Sequence, residues 1–136
     1  MAGVWRMAAA GFQQLQGKRI LVVEDNIVTA ERLSSALKGA GCTVVGPAPD
    51  LDQAMRLARW SALDGALLDL SLRGAHSIPV AALLKDRGVP FLFMVESESP
   101  LIIPAELRSA PQLSRPLDSE LLAVAEREFG RGRAIF

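Results

Sequence analysis

Short apolar runs that alternate with stretches of helical period restrict the folds open to this chain more than any other feature. The first run, Arg19-Ile20-Leu21-Val22-Val23, lacks the apolar/polar alternation of a half-exposed strand. A strand that is apolar throughout has both faces covered, as in a parallel sheet flanked by helices. From Asn26 onward Ile27, Ala30, Leu33, Ala36 or Leu37 and Ala40 recur at helical spacing, until Gly41 supplies a stop. Thr43–Val45 reads as the next strand. Asp50–Trp60 reads as a helix with Leu51, Ala54, Met55 and Ala58 inward and Trp60 packed at its end. Ala66–Leu68 is a strand, and Ser77–Arg87 is a helix with Pro79 tolerated near its start and Gly88 closing it. Phe91–Val95 is the most hydrophobic strand. Between Glu96 and Ala110 the pattern weakens, because Pro100 and Pro104 interrupt a helix and Ser97 and Ser99 favour turns. Gln112–Ser114 reads as the last strand and Asp118–Phe129, capped by Asp118, as the last helix, with Leu121, Leu122, Val124 and Ala125 available for packing.

Five strands interleaved with helices predict an α/β domain: a parallel sheet covered on both faces and joined by right-handed crossovers. A length of 136 residues fits one such domain, and a composition 50% apolar and 22% charged is that of a globular chain rather than a disordered one. Residues 1–17, which include Trp5, lack the sustained apolar stretch of a secretory signal and read as an N-terminal extension, with the domain spanning 18–136. The longest apolar runs fall far short of the roughly 20 residues that cross a bilayer, so no membrane span is expected. Fifteen basic residues balance fifteen acidic ones, which argues against broad attraction to nucleic acid or an anionic membrane. Any partner surface must then be local. The single Cys42 has no partner for an internal disulfide, fits a reducing cytoplasm, and is expected in the core.

In open α/β sheets, ligands collect beyond the carboxyl ends of the strands near a topological switch point. That rule directs attention to Glu24, Asp25, Asp69, Val95 and Arg115. Glu24 and Asp25 end the first strand and Asp69 the third; if those strands are neighbours, three carboxylates converge. Crowded carboxylates raise each other's pKa, and a hard divalent cation with oxygen ligands, Mg²⁺, relieves the repulsion. Taken singly, the same residues have plainer readings: Asp25 as a helix N-cap, Glu24 as a solvated carboxylate near a helix dipole, Asp69 as a turn residue, and Arg115 in a surface salt bridge. His76 is the only histidine and sits in a loop, so no histidine metal cluster or catalytic dyad is supported.

The blocks Arg19-Ile20-Leu21-Val22-Val23-Glu24-Asp25-Asn26, Ala66-Leu67-Leu68-Asp69-Leu70, Val89-Pro90-Phe91-Leu92-Phe93 and Ser114-Arg115-Pro116, in this order and spacing, resemble the signatures of response-regulator receiver domains. The resemblance covers about Lys18 to Phe129. The stretch Val89–Met94, with Gly74 after the acceptor strand, is similar to stand-alone bacterial receivers. It implies a flavodoxin-like, doubly wound (βα)5 fold with a weak or irregular fourth helix. It further implies that Asp69 accepts a phosphoryl group from a histidine kinase or phosphotransfer protein in two-component signalling. Glu24, Asp25, Asp69 and the backbone carbonyl of Ser71 would then hold Mg²⁺, and Arg115 would contact the phosphoryl group in place of the family's lysine. A cytoplasmic signalling domain follows, stand-alone and able to homodimerise. It is not an enzyme beyond slow self-dephosphorylation, since Ser71 stands where an aspartate-dependent phosphatase needs a second acid.

Departures from the pattern carry their own expectations. Val95 replaces the usual hydroxyl residue at the fourth strand end, so the hydrogen bond worth about 0.5–1.5 kcal/mol is missing there. A two-residue slip would bring Ser97 into use but displace Phe91 and Phe93 from the core. Glu96 follows, where a small residue is common, and Gln112 occupies the aromatic switch position. The family pattern also implies a cis bond between Arg115 and Pro116. Val95, Glu96 and Gln112 motivate an alternative function, a pseudo-receiver that binds partners without phosphorylation.

Overall fold

The computed structural model describes residues 11–96 and 102–130. Strands β1 (Arg19–Val23), β2 (Thr43–Ala48), β3 (Gly65–Asp69), β4 (Phe91–Val95) and β5 (Gln112–Ser114) form one sheet in the order β2-β1-β3-β4-β5. Every neighbouring pair is parallel. The helices are α1 (Ile27–Gly39), α2 (Leu51–Trp60), α3 (Ile78–Asp86) and α4 (Asp118–Phe129). Among the described residues, the stretch between β4 and β5 holds a 3₁₀ turn, Ala105–Leu107, in line with the irregular element expected there. Residues 97–101 of that segment, like Trp5, lie outside the described residues.

The pleat explains why the strands are apolar at every position. Ile20 and Val22 of β1, Leu67 of β3, and Leu92 and Met94 of β4 face one core with Leu33 and Leu37 of α1 and Leu121, Ala125 and Phe129 of α4. Their strand neighbours Leu21, Val23, Ala66, Leu68, Phe91 and Phe93 face the other core, built with Ala54, Ala58, Val80 and Leu84. Alternate side chains leave a strand on opposite sides, so two covered faces require an unbroken apolar run. Phe91 and Phe93 meet edge to face at 5.6 Å. Both are buried, with Phe93 paired to Gln112 and Val95 to Ser114. The register therefore keeps Val95, not Ser97, at the strand end.

Several local expectations are corrected. Trp60 is 80% exposed instead of packed. The inward face of α2 runs through Ala54 and Ala58, and Trp60, two residues on, is rotated about 200° from Ala58 at 3.6 residues per turn. Ile27 opens the apolar stripe of α1 on paper, yet it and Val28 are exposed, and the buried face of the helix begins at Ala30. The final helix is capped at Leu117, and Asp118 is its first residue. Glu120 Oε1 accepts from the Leu117 N–H at 3.1 Å, a service the leucine side chain cannot return. Residues 13–15 of the stretch read as an extension form a 3₁₀ turn that docks on α4, with Leu15 fully buried and the Gln14 N–H donating to Glu126 Oε2 at 3.0 Å. Cys42 is a buried core residue, as expected.

Helix α2 is capped by Asp50, whose Oδ1 accepts from the Gln53 N–H at 2.9 Å and whose Oδ2 accepts from the Gln53 side-chain amide at 3.1 Å. Asp50→Ala removes the cap and should cost about 0.5–2 kcal/mol, read as a lower urea midpoint at unchanged m-value. An unchanged midpoint would mean that solvent satisfies this helix end equally well.

Candidate functional site

The strand order places the reversal of winding between β1 and β3, so the carboxyl ends of β1, β3, β4 and β5 lie side by side along one rim. A cleft of ≈ 530 Å³ opens there, lined by Glu24 and Asp25 after β1, Asp69 ending β3, Ser71, Val95 and Glu96 at the end of β4, and Arg115 after β5. Carboxylate oxygens of Glu24, Asp25 and Asp69 lie within 4.8 Å of one another. Residues 45 positions apart in sequence thus meet because β1 and β3 are hydrogen-bonded neighbours, with Val23 opposite Leu68.

Each acid is held by backbone. The Asn26 N–H donates to Glu24 Oε2 at 3.1 Å, the Ser71 N–H to Asp69 Oδ1 at 3.2 Å and the Arg73 N–H to Asp25 Oδ2 at 3.1 Å. The cap of α1 is Asn26, whose Oδ1 accepts from the Thr29 N–H at 3.0 Å. Asp25 is therefore released from capping and turned to the cleft. Burial, followed by the hydrogen bond and negative charge of Glu24, pushes the Asp69 carboxyl up to about 8. Burial likewise raises Glu24, which is only 6% exposed. Crowding with Glu24 thus favours the protonated form of Asp69 in the metal-free protein.

A resident Mg²⁺ is tested by this arrangement. Three carboxylates converge and repel one another, and all the donors are hard oxygens, so the residues fit a divalent cation. Ser71 is exposed on the cleft wall.

The raised carboxyl has a consequence for the metal-free protein. In the window from the ordinary carboxylate range up to about 8, folded Asp69 keeps a proton that the unfolded chain has lost. Stability conferred by that proton is complete at the acid end and disappears as pH rises through the folded value. Urea midpoints in EDTA should fall between pH 5 and 9; Mg²⁺ or Asp69→Asn should flatten the profile. A flat profile in EDTA would show that the fold does not raise the Asp69 carboxyl.

The remaining site residues divide. Val95 and Arg115 reach the cleft, whereas Gln112 is exposed on β5 and does not line it. The Arg115–Pro116 bond is trans, and the cis X-Pro bond of the described residues is Gly46–Pro47. Arg115 itself turns the chain, with a left-handed φ of 46° in place of the extended backbone that residues before proline favour. Sequence reasoning missed Arg73, Arg32, Thr29 and Met94 on the cleft wall. Thr29 and Arg32 could have been found from Asn26, since the three fall on one face of α1 at helical spacing.

No protein-family model matches the chain. Over 80 residues, 57% of its length, it is 40% identical to the DNA-binding response regulator MtrA of Mycobacterium tuberculosis, and the match takes in 34% of that protein. The chain thus spans about a third of the length of the curated relatives it matches. The solution structure of SdrG from Sphingomonas melonis Fr1 superposes with a TM-score of 0.70 at 31% identity, covering 82% of this chain and 94% of that one. The receiver domain of the sensor histidine kinase PA1611 from Pseudomonas aeruginosa PAO1 was solved with a magnesium ion coordinated in its active-site cleft. It superposes with a TM-score of 0.65 at 26% identity, covering 85% of this chain and 99% of that one. Among the described residues no helix is long and apolar enough to cross a membrane.

Proposed function

Since the chain belongs to the response-regulator receiver domains of two-component signalling, we propose that Asp69 accepts a phosphoryl group from a histidine kinase or phosphotransfer protein. The observation that carries this reading is the convergence of Glu24, Asp25 and Asp69 at the winding reversal of the sheet, with Arg115 on the same cleft. An Asp69 carboxylate oxygen attacks phosphorus as the bond to the donor atom breaks, the electron pair leaving on the donor. The Ser71 N–H fixes Oδ1 of the nucleophile, and the Asn26 and Arg73 N–H groups orient the two neighbouring acids. Glu24, Asp25, Asp69 and the Ser71 carbonyl would hold Mg²⁺, which when bound neutralises charge on the carboxylates and on phosphoryl oxygens. Arg115 offers a guanidinium to those oxygens. With Ser71 two residues after the acceptor, the chain has no evident acid for steady ester turnover, and the product is a phosphoprotein signal.

A second reading rests on Val95 and Glu96, an apolar side chain and a carboxylate at the cleft where a hydroxyl and a small residue would aid phosphorylation. Under that reading the domain binds partners without being phosphorylated. Incubation with phosphoramidate and Mg²⁺, followed by intact mass, separates the two: one hydroxylamine-labile phosphoryl group supports the first, and no gain in mass the second.

A further inference from the structure

Two non-glycine residues among those described adopt a positive φ: Arg73 at 27° and Arg115 at 46°. Both are arginines, and both line the cleft around Asp69. Arg115 stands where the family places a basic residue; nothing in that pattern assigns Arg73.

Arg73 is the first of two loop residues in a small hairpin, Ser71–Leu72 paired antiparallel with Ala75–His76. Gly74, at φ 80°, is the second. A two-residue hairpin loop with positive φ at both positions favours Asn, Asp or Gly at the first. Arginine is a poor choice for the backbone there, because its β-carbon crowds the carbonyl in the left-handed region. The local turn would form more readily with another residue, so its side chain must be judged by what it faces. Arg73 Nη2 donates to the Asp25 carbonyl at 3.5 Å, a long contact on the rim of the cleft. The ion pair among the described residues is Arg127–Glu128, far along the chain, and leaves the cleft arginines uncommitted to a carboxylate.

We infer that Arg73 is a phosphoryl-binding residue, closing with Arg115 on the oxygens of the group transferred to Asp69. The inference rests on the acceptor reading of Asp69. A guanidinium presents a planar fork to phosphoryl oxygens, and a second one supplies the donor that Val95 cannot. With phosphoramidate as donor, an Asp69 oxygen bonds to phosphorus, the P–N bond breaks, and its electron pair leaves with nitrogen as ammonia. Three oxygens of the moving phosphoryl group stay negative throughout, which is where two guanidinium groups act.

Substitution at this turn separates structure from function by sign. Arg73→Gly relaxes the loop and should leave the urea midpoint equal or higher, while phosphoramidate labelling at saturating Mg²⁺ slows about tenfold, as expected for one lost charge-assisted hydrogen bond. Arg73→Lys keeps charge without the fork and should recover part of the rate. The Arg73 N–H that holds Asp25 survives both changes, so Mg²⁺ affinity should not weaken. A wild-type chain that labels at Asp69 while Arg73→Gly labels equally fast overturns the role of Arg73 and spares that of Asp69. A wild-type chain that never labels overturns both.

Discussion

Treated with phosphoramidate and Mg²⁺, the wild-type chain should gain the mass of one phosphoryl group, and Asp69→Ala should gain none. The loss is expected to be complete because the attacking atom itself is removed. Glu24 is 6% exposed and tied to the Asn26 N–H, and Asp25 is tied to the Arg73 N–H. Those two acids should act through the cation. Asp25→Asn removes a charged oxygen from the cluster and should slow labelling by at least the ~10–100-fold that loss of a supporting group at a metal site costs, with part of the rate regained at high Mg²⁺. Labelling of Asp69→Ala at the wild-type rate would move the acceptor to another residue and dissolve the proposed mechanism. Hydroxylamine adds a chemical check, since an acyl phosphate is cleaved by it and a phosphoserine at Ser71 is not.

The largest effect on stability should come from the opposite end of the sheet, where α4 crosses the start of β3. Phe129 is 2% exposed and its ring lies over Gly65. A β-carbon on Gly65 would overlap three ring carbons of Phe129. Gly65→Ala should therefore behave as overpacking and cost about 1–3 kcal/mol. Phe129→Ala empties the space and should cost about 3–5 kcal/mol, a large share of the ~5–15 kcal/mol that holds an ordinary domain folded. The two sites touch, so the changes should not add: with the ring gone, the alanine methyl meets no clash and fills part of the void. The double variant should then be more stable than the sum predicts, by roughly 0.5–3 kcal/mol of coupling in urea denaturation. Strict additivity would mean that the ring does not sit against Gly65 in solution.

Much of this architecture was legible in the chain. Apolar residues at every position of Arg19–Val23 and Phe91–Val95 announce strands covered on both faces, and the observed cores divide their side chains by the pleat. Glu24, Asp25, Asp69, Val95 and Arg115 were also legible as strand-end residues, because a carboxyl end is marked where an apolar run meets a polar residue. Boundaries were less so: Leu117 rather than Asp118 occupies the cap of α4. A cap is chosen by the geometry of one peptide group, which neighbouring polar residues can satisfy about equally well. Arg73 had a signal that went unread, since a residue-glycine pair between short apolar stretches marks a two-residue turn.

Local pattern alone determined the kind and order of the elements, because burial on one or two faces imposes a period that is written residue by residue. Tertiary structure alone decided that β1 lies beside β3, that three acids meet on one rim, that Trp60 looks outward and that Gly65 must remain small for Phe129. These depend on contacts between residues tens of positions apart, whose energies no period in the chain encodes.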